Sequence, residues 1–287
     1  MTNPVLSAKG LFTPAQPQYI APAQGLDGNP VYQAYSAPAQ PGYGQTPWAA
    51  PAQQTPWAAP AQPVEKMTLE DVIAKTAISL GALFLVAAFA YFFIPDAILY
   101  PAGIIGGLAA FITPLIVARR RTAGPAVNVI YAVTEGLLVG AFSKIFEMYY
   151  PGIVVQAVLA TLVAAGVVLV AYRFGGFRLS SRGAKMVRTG LIAFAAVALV
   201  NFVLVLCGVN LGLFPGPGQP VSWLAWLFAL VGVGLAVLSL VDDFQYVEAG
   251  VRLGAPRKQG WIAAFGLSVT MVWLYINLLR IISYIRR

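Results

Sequence analysis

The sequence predicts an all-α integral membrane protein with seven transmembrane helices behind a disordered, Pro-rich tail. Three observations lead there. Of 287 residues, 59% are hydrophobic and only 10% charged, whereas a soluble domain is about a quarter charged. Six charge-poor runs of 20 residues or more follow residue 75, each long enough to cross a hydrocarbon core as a helix. Lys and Arg crowd every second loop between the spans, the asymmetry of a multi-pass membrane protein.

Residues 1–66 form the tail. They hold 12 of the 21 prolines and repeat QTPWAAPAQ at 45–53 and 54–62. Recurrent proline fixes φ and removes backbone donors, so the segment cannot build a packed core. Its composition predicts disorder with polyproline character. It lacks the basic start and apolar stretch of a signal peptide. Trp48 and Trp57 offer contacts to a lipid interface or a protein partner, although an unselected low-complexity repeat explains them as well.

The membrane domain, 67–287, follows element by element. Thr68 is an N-cap ahead of Glu70 and Asp71, which opens a first span at about 71–94. The second span is about 97–118 and ends at Arg119, Arg120 and Arg121. The third, about 125–147, holds one acid over most of its length, Glu135. The fourth is about 152–172. A 53-residue run without charge, Thr189–Val241, comes next. As one helix it would be roughly 80 Å long, so it must break. Three prolines and three glycines within Asn210–Pro220 mark the break. The fifth and sixth spans are therefore about 189–209 and 222–247, and the seventh about 260–284.

The loops 119–121, 173–188 and 252–258 carry eleven bases, and the alternate loops 95–96, 148–151 and 210–221 carry none. That places the tail and the basic loops in the cytoplasm. Seven spans then send the C-terminus outside, in tension with its closing Arg286 and Arg287; a re-entrant last segment would keep it cytoplasmic.

Composition also excludes. There is no histidine, so Ser-His-Asp and Cys-His catalysis and His-ligated zinc are ruled out. The single cysteine, Cys207, allows no intrachain disulfide and reads as a small buried hydrophobe. A net charge of +8 reflects basic loops and not a nucleic-acid partner. A two-Asp intramembrane protease needs carboxylates on separate helices; Asp243 has only Asn277 where a partner would sit. No phosphate-cradling glycine loop has a strand–helix frame. The chain is not expected to be an enzyme or to carry a cofactor.

What remains informative is polarity inside the spans. A charge at the bilayer centre costs about 2.5–3.5 kcal/mol even on lenient scales, which makes Glu135, Asp242, Asp243 and Glu248 candidate functional residues. Asn128, Tyr131 and Glu135 share one face of the third span. Ser239, Asp243 and Tyr246 share one of the sixth, with Asp242 about 100° away. Thr270, Trp273, Asn277, Arg280 and Tyr284 form a polar stripe on the seventh. Such stripes serve either bundle cohesion or a pathway.

Three segments carry a resemblance: Tyr150 to Leu159 (YPGIVVQAVL), Asp243 to Val251 (DFQYVEAGV), and Gly260 to Arg280 with its GWIAAFG start and VWLYINLLR end. Together with Asn3-Pro4-Val5 and Met67–Thr76 they resemble the Bax inhibitor-1 family, in particular its bacterial branch with a disordered tail. The resemblance implies a compact bundle with the seventh span central, in a bacterial inner membrane. It implies a pH-sensitive Ca²⁺ leak in which a sixth-span acid, here Asp243, pairs with a seventh-span acid, and an Arg ending the second span, here Arg119, holds the pore closed. The sequence departs at the seventh-span acid, where the family pattern Leu-Tyr-x-Asp/Glu reads Leu274-Tyr275-Ile276-Asn277. Asn cannot titrate, so a proton-sharing carboxylate pair is lost. The expectation is a cation leak channel or transporter with a modified pH sensor. Asp243 is the leading cation ligand, Asn277 faces it, Arg119 pairs with an acid, and Glu135 lines the pathway. The alternative is a non-conducting scaffold or stress-response regulator whose tail recruits protein partners. The remaining partners are the lipid bilayer and the transported cation.

Overall fold

A computed structural model describes residues 65–120, 123–209 and 211–287. Residues 1–64 of the tail, including its repeat with Trp48 and Trp57 and the Asn3-Pro4-Val5 segment, and Arg121 lie outside the described residues. Seven α-helices follow in order: α1 Leu69–Phe93, α2 Leu99–Arg120, α3 Pro125–Tyr149, α4 Ile153–Arg173, α5 Ser181–Leu206, α6 Trp223–Arg252 and α7 Gly260–Ile285. Short 3₁₀ turns at Asp96–Ile98 and Arg257–Gln259 precede α2 and α7. Six of the helices are long and apolar enough to cross a membrane. α2 spans 22 residues and contains Pro114.

Local chemistry sets the helix ends. Thr68 Oγ1 caps α1 by accepting from Asp71 N at 3.2 Å, as the sequence suggests. Glu147 accepts from the backbone N–H groups of Gly152 and Val154 and so satisfies the start of α4. Gly152 sits at φ +82°, a left-handed turn that glycine enters without a Cβ penalty. Two boundaries differ from the hydropathy reading. α5 begins at Ser181, eight residues before 189, with Ser180 Oγ accepting from Gly183 N at 3.1 Å. α6 runs five residues past 247. Helical hydrogen bonding continues into water after the apolar run stops, and hydropathy marks only the apolar part.

Helices α1 and α3 run parallel in close contact. Ser79 meets Asn128 at 3.1 Å, Gly136 packs on Leu83 and Val86, Gly140 on Ala87 and Ala90, and Lys144 donates to Ile94 O at 2.7 Å. α7 is the most enclosed helix. It packs against α1, α3, α4 and α6, and 78% of its most apolar stretch is buried, against 17–50% in the other spanning helices. α5 is the least buried and rests chiefly on α6.

α7 is a single continuous helix, Gly260–Ile285. Its start lies beside residues 65–67, where Met67 N donates to Ala255 O at 2.7 Å and Arg257 N to Glu65 O at 2.8 Å. Its far end lies beside the α3–α4 turn, where Arg286 donates to Pro151 O at 2.8 Å and Arg287 to Tyr150 Oη at 3.1 Å. The basic loops thus share one end of the bundle, and the C-terminal arginines are satisfied at the other. Cys207 also differs from expectation: it caps the end of α5 and is exposed.

Candidate functional site

Asp242 and Asp243 are adjacent on α6 and are 5% and 2% exposed. At 100° per residue they cannot meet one partner. Asp242 turns to α5, where Arg188 Nε lies 3.4 Å from its Oδ2, and Arg188 also stacks over Tyr246 at 4.8 Å. Asp243 turns to α7 and accepts from Thr270 Oγ1 at 2.5 Å. Its partner is a hydroxyl and not a base.

Asn277 does not face Asp243. Its Nδ2 donates to Trp273 O at 2.8 Å, and its Oδ1 is buried without a hydrogen bond against Gly232. Gly232 lies eleven residues before Asp243, and Asn277 lies seven residues beyond Thr270, about 10 Å along α7. The sequence pattern places both residues on facing helices, but the antiparallel register of α6 and α7 separates them.

Glu135 is 6% exposed on α3 and, among the described residues, makes no hydrogen bond or ion pair. Its face of α3 meets α7 through Tyr131 and Phe265, whose rings are 4.8 Å apart, and further along through Ser143 Oγ and Tyr275 Oη at 2.7 Å. Asn128, on the same face, donates to Trp261 O at 3.3 Å. Counted from the basic ends of their helices, Glu135, Asp243 and Thr270 all sit at a depth of roughly 15 Å. They do not share one site. Phe265 and Tyr275 face α3, whereas Thr270 lies about 140° around α7 from both. Glu135 and Asp243 therefore stand at one level with α7 between them.

The remaining candidates lie at the basic end. Glu248 accepts from Tyr172 Oη and from Arg178 Nη2, the latter at 3.0 Å. That hydrogen bond raises the Arg178 guanidinium pKa further above its ordinary value. Arg119 ends α2 exposed and forms no ion pair among the described residues, so the expected pairing with an acid is not present in this state. Sequence reasoning missed a second ionic cluster. Asp71 binds Lys75 Nζ at 2.5 Å and Arg257 Nε at 3.1 Å, and Arg257 Nη1 also binds Glu65 at 2.5 Å. Its signal was the i, i+4 spacing of Asp71 and Lys75.

A cavity of about 50 Å³ lies between α1, α3, α4 and α7, bordered by Leu83, Val139, Val158 and Met271. The hydroxyls at its wall are engaged, Thr161 with Ala157 O at 2.7 Å and Tyr275 with Ser143. It is a gap with an apolar wall. No cluster of three metal-ligating side chains occurs among the described residues.

The family model described as Bax inhibitor 1 like matches residues 3–287. The chain belongs to that family. Its multi-pass helical architecture accords with membership in the Bax inhibitor 1 like family. No curated protein matches the chain.

Proposed function

We propose that this Bax inhibitor 1 like protein is a cation leak channel or transporter of a bacterial inner membrane, with Ca²⁺ the leading ion and the N-terminus cytoplasmic. In this reading α7 is the central helix of the bundle and the described structure is the closed state. One observation carries it: Asp243 is a carboxylate buried between α6 and α7 whose partner is a hydroxyl. A carboxylate in that position is costly unless a cation or proton visits it. Parting α6 from α7 breaks the Thr270 hydrogen bond and frees the acid to meet a cation. Glu135, at the same depth on the other side of α7, is the second acid of the pathway.

Calcium flux into proteoliposomes tests this. Asp243→Asn keeps the acceptor for Thr270 but removes the charge, and flux is expected to fall at least tenfold. Unchanged flux would show that Asp243 has no part in conduction. Asn277 cannot titrate and does not face Asp243, so no carboxylate pair forms and pH gating is expected to be shallow.

A second reading, the non-conducting scaffold or regulator, is favoured by the apolar cavity and by the separate partners of Asp242, Asp243 and Glu248. Wild-type vesicles that pass no cation at any pH would select it.

A further inference from the structure

The α4–α5 connection carries five bases that the ion pathway does not use, and they divide sharply. Arg178 is spent on Glu248 and Arg188 on Asp242. Arg173, Arg182 and Lys185 are exposed and make no ion pair or hydrogen bond among the described residues. Arg182, Lys185 and Met186 stand at i, i+3 and i+4 and share one face of the first turns of α5. Val187, only 4% exposed, and Arg188 turn the other way, toward the bundle.

Large apolar side chains stand among these free bases. Phe174 is 83% exposed and Met186 75%. In bulk water such side chains gain nothing. At a membrane surface they enter the acyl boundary while neighbouring bases reach the phosphates. The hairpin emerges where α4 and α5 leave the membrane, so a headgroup layer meets it directly. Charge complementarity then selects the occupant, since each Lys or Arg close to an anionic leaflet adds to the attraction.

We propose that the α4–α5 hairpin is a binding surface for anionic phospholipid headgroups. Arg173, Arg182 and Lys185 hold the phosphates, and Phe174 and Met186 seat in the acyl region beneath. The bound lipid anchors the basic end of α5, the helix with the least protein contact of its own. The surface is independent of conduction and stands whether or not Asp243 binds a cation.

The full chain in nanodiscs of equimolar phosphatidylglycerol and phosphatidylcholine, released for native mass spectrometry, reads the lipids retained. Wild type is expected to keep phosphatidylglycerol preferentially. Combining Arg173→Gln, Arg182→Gln and Lys185→Gln is expected to lower that retention about tenfold or more, with phosphatidylcholine unchanged. These side chains are exposed and make no ion pair or hydrogen bond among the described residues, and circular dichroism checks that the helices persist. On the unmodified chain, raised salt is expected to weaken the preference. Equal retention of the two lipids by wild type, a preference indifferent to salt, or full retention by the triple variant would each overturn the proposal. Displacement of the lipid by excess inorganic phosphate would assign the site to a free anion instead and overturn it as well.

Discussion

At the scale of single residues, burial makes partners decisive. Asp243 depends on Thr270, so Thr270→Val leaves a buried carboxylate oxygen without its donor. A loss of about 1–3 kcal/mol is expected, with Thr270→Ser near wild type, as measured by detergent-titrated unfolding. Asp242 and Arg188 pose the complementary case, because removing one partner strands the other's charge. Arg188→Gln is expected to destabilise by roughly 1–3 kcal/mol. Adding Asp242→Asn should recover most of it in a double-mutant cycle, whereas additive losses would show that the pair is not coupled. The roles of these acids were only partly legible. That Asp242 and Asp243 must diverge follows from helix geometry alone. That Arg188 and Thr270 receive them does not, since Arg188 lies 54 residues away in sequence and reads as an ordinary loop base.

At the scale of elements, α1 and α3 pack with their backbones in close approach. A Cβ on Gly136 would come within 2.9 Å of Leu83 O, and one on Gly140 within 2.6 Å of Ala90 Cβ. Small residues four apart allow such close approach in membranes, where packing and not hydrophobic transfer holds helices together. Gly140→Val is expected to cost about 1–3 kcal/mol through overpacking, whereas Gly166→Ala on α4, where a Cβ meets nothing within 4 Å, is expected to be tolerated. Unfolding midpoints of the two variants check the contrast. The Gly136-x-x-x-Gly140 spacing was present in the sequence as a signal for this interface. Gly232, which seats Asn277, had no comparable mark because its neighbour arrives from another helix.

For the whole molecule, the continuous α7 puts the C-terminus at the end opposite the basic loops. Cys207 is the single cysteine, so Cys207→Ser supplies a clean background for labelling. A cysteine at position 258 and one at position 287 are expected to react with an impermeant maleimide from opposite faces of oriented vesicles. Labelling of both from one face would refute the arrangement of α7. The strap of residues 65–67 on 255–257, with Asp71, Lys75 and Arg257 around it, ties the exit of the tail to the start of this central segment.

The membrane class, six of the long spans, the break after α5 and the face that each intramembrane acid occupies were legible from residue order alone. Hydrophobic run length, proline and glycine punctuation and helical period are local properties, and they survive whatever the neighbours do. Which face meets which emerges only when the helices pack. Asp243 reaches Thr270 and not Asn277, α7 stands between Asp243 and Glu135, and Arg119 forms no ion pair among the described residues. Those outcomes depend on the axial register of packed helices, set by the small and large side chains of two elements together, and no single segment encodes them.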